Sequence, residues 1–298
     1  MNFLKLFSNY NNKIIAAICM IIATTLGVFM ITLIKYVQAD LNVFTISCFR
    51  FFFGLIIIIP YHYKTSYIFL KTKKMHLHIF RSLFNVPAMY FGFSAVYLIS
   101  LEKNAAISFT TPIIVSILAI LFLKERIYLN RIFSLIFGFI GILIVVRPGI
   151  IELEVGVLFS LFSCFFWSIS VFLTKKLSET EEPITILSYM YIFMTTVTLI
   201  FAIIKWDNPN LIQLTLLFFA ATCGTILHLF LNYAYKISDL TFLMPFNYIG
   251  LIVSSLMGFI IFEDYPDIFS WIGGGIILFS VYWITSREKN KEMTEIRN

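Results

Sequence analysis

Charge is what this sequence has least of. Only 13% of its 298 residues are charged, where a soluble domain uses about a quarter. A water-facing surface cannot be built from this stock, so soluble enzymes and soluble binding modules are excluded. The sixteen carboxylates all lie outside the long apolar runs. Cysteine is scarce as well. Cys19, Cys48, Cys164 and Cys223 fall inside those runs without metal-ligand spacing, and read as small packing residues. Also lacking are a Ser–His–Asp set, an acid pair within an apolar run, a metal cluster and a glycine-rich phosphate loop. Nothing in the chain points to ATP hydrolysis, and no metal or cofactor is expected.

What is present is apolar length: 60% of the residues are hydrophobic and the mean hydropathy is +0.91. A helix crossing hydrocarbon needs roughly 20 apolar residues. The runs that qualify are Ile14–Ile34, Val43–Pro60, Ser82–Ser100, Asn104–Leu123, Ile132–Val146, Val155–Thr174, Pro183–Ile204, Leu211–Tyr235, Leu240–Phe262 and Ile268–Ser286. They predict an all-α integral membrane protein of ten transmembrane helices with short linkers. The fifth run is short, and Leu129 to Arg131 extend it if the arginine snorkels to the headgroups. Lys5 and Lys13 precede the first run as in a signal peptide. That run is 21 residues long and no small-residue cleavage site closes it, so it reads as a retained helix.

Positive charge sets the expected orientation. With the N-terminus cytoplasmic, the cytoplasmic segments hold 17 Lys and Arg and the opposite side holds 4. Short cytoplasmic loops collect these residues, so both termini are expected inside. The stretch Lys64–Arg81 reads as a cytoplasmic loop near anionic lipid. The net charge of +6 follows from this bias, and no basic patch interleaved with aromatics points to nucleic acid. The expected partners are the bilayer and a small-molecule substrate, with the oligomeric state open.

The two halves align on each other. Ile132, Phe133, Ser134, Ile136, Gly138 and Ile140 recur as Ile268, Phe269, Ser270, Ile272, Gly274 and Ile276, at a constant offset of 136. Glu125 falls on Glu263 and Ser116 on Ser254 at 138, and Thr45, Ile46 and Phe53 meet Thr185, Ile186 and Phe193 at 140. Five crossings is an odd number, so the second copy enters the membrane inverted. Inverted repeats provide two nearly equivalent shapes, each open to one side, with a substrate site between them near the midplane.

The stretch from Ala105 to Arg126 (AAISFTTPIIVSILAILFLKER), followed by Gly138–Pro148, resembles helices four and five of the drug/metabolite transporter superfamily, EamA type. Pro245–Glu263 (PFNYIGLIVSSLMGFIIFE) and Arg50 within CFRFFF resemble it too, and the likeness runs from Ile14 to Arg287. The second-half pattern looks most like a bacterial subgroup that includes S-adenosylmethionine and riboflavin carriers. The resemblance implies two EamA repeats, 14–149 and 155–287, a charged cytoplasmic tail 288–298, and a central cavity. It implies a multi-pass protein of the bacterial inner membrane that moves a small metabolite, without deciding import against export.

Arg50 is the most informative position. It lies about eight residues, or ~12 Å, into the second helix, and no run contains a carboxylate to pair with it. An arginine at that depth is costly unless it faces water, a ligand or a partner. It reads as a cavity residue or as a structural arginine bonded to carbonyls. His228 sits one turn from Asn232 on a shared face, and reads as a substrate or proton group or as a packing histidine. Asn85, Tyr90, Thr110, Thr111, Trp167, Tyr189, Asn247 and Tyr248 are the other polar or amphipathic groups at depth. Trp and Tyr walls would suit a flat aromatic solute. Pro87, Pro112 and Pro245 mark hinge or cavity candidates, since each frees a carbonyl one turn earlier. Glu125 and Glu263, at the ends of the fourth and ninth helices, read as caps or gates. Two readings of other classes stay open: a membrane-embedded enzyme acting on lipid, and a channel component. The acidic clusters an enzyme would need, Glu152 with Glu154 or Glu263 with Asp264 and Asp267, have no histidine nearby.

Overall fold

The structure is a computed structural model, and it describes residues 12–38, 40–64, 72–99, 104, 107–108, 110–125, 128–146, 155–262 and 268–297. Among the described residues there is no strand. The helices are α1 (Asn12–Val37), α2 (Val43–Lys64), α3 (Met75–Leu98), α4 (Thr110–Leu123), α5 (Leu129–Val146), α6 (Val155–Ser178), α7 (Pro183–Ile204) and α8 (Leu211–Ile237). A single turn, α9 (Leu240–Leu243), then runs through a 3-10 segment, Met244–Tyr248, into α10 (Ile249–Phe262); α11 (Ile268–Arg297) ends the chain. Six stretches are long and apolar enough to cross a bilayer: α1, most of α2, α6, α7, α8 and Leu240–Ile261. Large side chains such as Phe122, Phe165, Ile204 and Leu278 remain exposed on the helix exteriors, as hydrocarbon solvation allows.

The structure departs from the apolar runs in four places. Helix α3 begins at Met75 and not at Ser82, because a polar face of the helix is turned inward. His78, Arg81, Ser82 and Asn85 follow the i, i+3, i+4, i+7 spacing of one helical face, and all are buried. Arg81 is therefore not a loop residue, and a buried histidine of α3, His78, joins the buried His228. Arg131 does not snorkel. It is 1% exposed and bonds Asp239 and Thr241 within the protein. The stretch 240–262 is not one continuous helix, since Pro245 has no N–H to give and the backbone tightens into a 3-10 segment around it. Lastly, α11 continues as helix to Arg297, through the residues expected as a tail.

The most extensive helix pairings join one half of the chain to the other: α1 with α8, α3 with α6, α5 with α11 and α2 with α7. Exchanging the halves maps the first pair onto the second and leaves the other two unchanged. At the α5–α11 crossing a side chain on Gly141 would strike the Gly273 carbonyl, so only glycine permits this approach. Ser134 Oγ, from the repeated motif, donates to the Ser280 carbonyl at 2.8 Å across the same contact. One apolar core gathers around α1, α8 and α9 with the following 3-10 segment, and a second around α2, α3 and α7. Between them a space is left open.

Candidate functional site

That space is a cavity of about 350 Å³, within the range of small-molecule sites. Its walls come from α1, α3, α6 and α8. Arg50 and Phe51 of α2, Thr111 and Pro112 of α4, Asn247 of the 3-10 segment, and Gly250 and Ser254 of α10 complete them. Among the described residues no carboxylate lines it, and Arg50 is its only Lys or Arg.

Arg50 is 4% exposed. Its Nε and Nη2 point at Met30 Sδ at 3.2 and 3.1 Å, Nη2 lies 3.5 Å from His228 Nε2, and the guanidinium sits 4.5 Å from the centroid of the Phe51 ring. A thioether is a weak acceptor and a ring face is diffuse. Among the described residues no carboxylate pairs with Arg50, so its charge remains available to something inside the cavity. Small size at position 224 makes the pocket possible: a Cβ there would stand 2.8 Å from Arg50 Nη2.

His228 is 5% exposed and faces Trp167, with ring centroids 6.0 Å apart. Asn85 lines the same space, and so does Thr24, whose buried Oγ1 has no hydrogen-bond partner. Asn247 lines it too while donating to the Met244 carbonyl at 3.1 Å. The site therefore combines one cation, a tryptophan face and several amides and hydroxyls. It can bind an anionic oxygen group at one end and a flat ring nearby.

Of the residues singled out in the sequence, Arg50, Asn85, Thr111, Trp167, His228, Asn247 and Pro112 meet at this cavity. The others are placed elsewhere. Tyr90 stacks on Phe44 with centroids 5.2 Å apart, and Tyr189 packs on the His78 ring at 4.4 Å. Thr110 donates to its own turn at the Ile107 carbonyl, 2.9 Å, and Asn232 donates to the Pro183 carbonyl at 3.2 Å. Tyr248 is fully buried against Gly138, its hydroxyl 3.4 Å from the Leu135 carbonyl. Pro87 lies inside α3, and Pro245 sets the 3-10 break. Glu263 lies outside the described residues.

Glu125 has a defined place. Lys124 closes α4 with a left-handed backbone (φ 55°), as a residue just past a helix end often does, and the Glu125 N–H reaches back to the Ala119 carbonyl at 3.3 Å. That turn aims the Glu125 carboxylate at the start of α9. It accepts from the Leu240 and Thr241 N–H groups at 3.0 Å each and from Thr241 Oγ1 at 2.9 Å. Asp239 occupies the N-cap position of α9 without a side-chain cap bond and pairs with Arg131 at 3.0 Å. Lys175 adds contacts of 2.7 Å to the Tyr235 and Ser238 carbonyls. A polar latch thus ties the α4–α5 turn to the α8–α9 turn.

Sequence reasoning missed Met30, Asn104 and Ser108, which also line the cavity. Methionine in an apolar helix carries no signal that separates a cavity wall from core. Asn104 and Ser108 did carry one, being polar at i and i+4 at the start of the fourth apolar run.

Comparison with known proteins bears on the same architecture. Residues 14–147 and 154–286 each match the EamA-like transporter family. A relative described as an S-adenosylmethionine uptake transporter, from Rickettsia felis, is 28% identical over 282 residues, covering 89% of this chain and 94% of its own. A riboflavin transporter of Vibrio cholerae serotype O1 is 28% identical over 263 residues, covering 87% and 88%. A solved crystal structure superposes with a TM-score of 0.77 at 15% identity, covering 93% of this chain and 98% of that one. At that identity the likeness speaks for the fold.

Proposed function

This chain belongs to the EamA-like transporter family, a multi-pass membrane transporter of metabolites, and from that premise we propose how it works and on what. It is a secondary carrier of the bacterial inner membrane with ten crossings, built as two inverted five-helix repeats that expose one cavity to each side in turn. Both termini are cytoplasmic. Its solute carries an anionic oxygen group and a flat ring, as S-adenosylmethionine or a related amino-acid derivative does.

The single observation behind the solute class is Arg50: a buried guanidinium in the cavity wall, held by a sulfur and a ring, with no carboxylate against it. The solute's carboxylate is the missing partner, and Trp167 offers its ring the face to lie on. The pairing of α1 with α8 and α3 with α6 supports the inverted repeat, since an exchange of halves preserves it. The names of the relatives support the choice of solute.

Purified protein in liposomes tests this with radiolabelled S-adenosylmethionine. The expected result is saturable uptake, competed by solutes that have both a carboxylate and an aromatic ring. A charged hydrogen bond contributes about 1.5–3 kcal/mol, so Arg50→Ala should weaken apparent affinity about 10- to 100-fold in protein that still folds. Wild-type kinetics in that variant would remove Arg50 from the site. Non-saturable flux would make the protein a channel, and chemical change of the solute would make it an enzyme.

A further inference from the structure

The inward face of α3 does not stop at the cavity. Asn85, Ala88 and Met89 line the space, and the same face continues toward the start of the helix through Ser82, Arg81 and His78. Arg81 lies six residues from Met75 and four before Asn85, so it sits ~6 Å along the axis from the cavity wall. These residues are buried: His78 is 1% exposed, Arg81 2% and Ser82 6%.

They are also incompletely bonded. Both ring nitrogens of His78 and the hydroxyl of Ser82 are buried without a hydrogen-bond partner, although buried polar groups are ordinarily satisfied. Arg81 donates from Nε to Thr174 Oγ1 at 2.6 Å and from Nη1 to the Ile186 carbonyl at 3.2 Å, and it rests Nη2 on Met190 Sδ at 3.4 Å. Three acceptors serve its five N–H groups, and no carboxylate is among them. Arg131 in this same protein shows the structural alternative, an arginine matched by Asp239 and Thr241. Arg81 is instead held as Arg50 is, with a methionine sulfur in place of an anion. The ring of Tyr189 lies 4.4 Å from that of His78 and fixes its orientation.

From this arrangement we propose that His78, Arg81 and Ser82 form a second station for the anionic oxygen group of the transported solute, occupied after that group leaves Arg50. The inference rests on the carrier reading above. In the shape described here the station is closed off from the cavity. When the latch at Glu125 and Thr241 parts, the station becomes the binding site on the side where α3 begins. The carboxylate then accepts from the free Arg81 N–H groups, from Ser82 and from a ring N–H of His78. A pair of cationic stations at different depths keeps the solute's charge compensated along the path, which a single arginine cannot do.

The test is the Michaelis constant for S-adenosylmethionine measured separately from each side of the membrane, in right-side-out and inverted vesicles. Arg81→Gln should raise KM about tenfold or more on the α3-start side, the cytoplasmic one, and by less than about twofold on the other, as loss of a charged hydrogen bond would. Arg81→Lys should recover part of that loss. Arg50→Gln should show the opposite sidedness. His78→Gln and Ser82→Ala should give smaller rises, about two- to fivefold, on the Arg81 side, and serve if Arg81→Gln does not fold. Equal rises on both sides, or a fall in maximal rate alone, would make Arg81 a structural residue and overturn the station. Absence of saturable uptake by the unmodified protein would overturn the carrier reading, and this one with it.

Discussion

Gly224 is the floor of the Arg50 pocket. A methyl group there would stand 2.8 Å from Nη2 and 3.0 Å from Met30 Sδ, closer than side chains pack. Either the guanidinium or the thioether must move, and overpacking of this kind costs about 1–3 kcal/mol. Gly224→Ala should therefore raise KM by about 5- to 150-fold while expression and maximal rate hold, as uptake assays will show; an unchanged KM would mean the guanidinium is not seated there when it works. Single residues were legible in the sequence where chemistry clashed with surroundings. Arg50 and His228 stand out in apolar runs and do meet in one wall. Tyr189 and Tyr248 did not separate from packing, because an aromatic at depth looks the same against a solute as against a helix. Arg81 was hidden by the lysines before it, Lys73 and Lys74, which made a loop the simpler reading.

Among the elements, the α4 terminus has the most specific architecture. A lysine in a left-handed conformation is uncommon, and here it turns Glu125 onto the first N–H groups of a helix from the other half of the chain. Losing such a cap costs about 0.5–2 kcal/mol, or about 2- to 30-fold in the balance between latched and open shapes. In Glu125→Ala, spin labels at Lys124 and Lys236, both exposed, should show a longer and broader distance distribution than in the unmodified background. An unaltered distribution would exclude a gating role for the carboxylate. Helices were legible as apolar runs because hydrocarbon demands length and excludes charge. Their ends were not, because a terminus depends on who caps it. Asp239 looks like the natural cap of α9 and is taken by Arg131, while the cap comes from 115 residues away in sequence. The break at Pro245 was legible from proline, and the early start of α3 only from the spacing of His78, Arg81, Ser82 and Asn85.

For the whole molecule, the repeat and the charge bias make one joint prediction about sidedness. If both termini face the cytoplasm, a cysteine placed at Lys124 is reached by an impermeant thiol reagent only after cells are opened. One placed at Lys205 reacts in intact cells. Labelling of both from one side would overturn the inverted arrangement and the alternating cavity with it. The family and the division into two repeats were legible because the motif in α5 returns in α11 at a fixed offset. The way the repeats interlock was not, since sequence similarity says which segments correspond and not which ones touch.

That interlocking has a consequence for how the chain is made. Helix α1 finds its main partner in α8, α3 in α6 and α5 in α11, so the first half leaves the ribosome with its best contacts not yet synthesised. The helices of the first half must wait unclosed, with their close-approach glycines and buried arginines, until their counterparts arrive. Maturation is then a single late event, and a chain interrupted after α5 is left without the neighbours that would complete it.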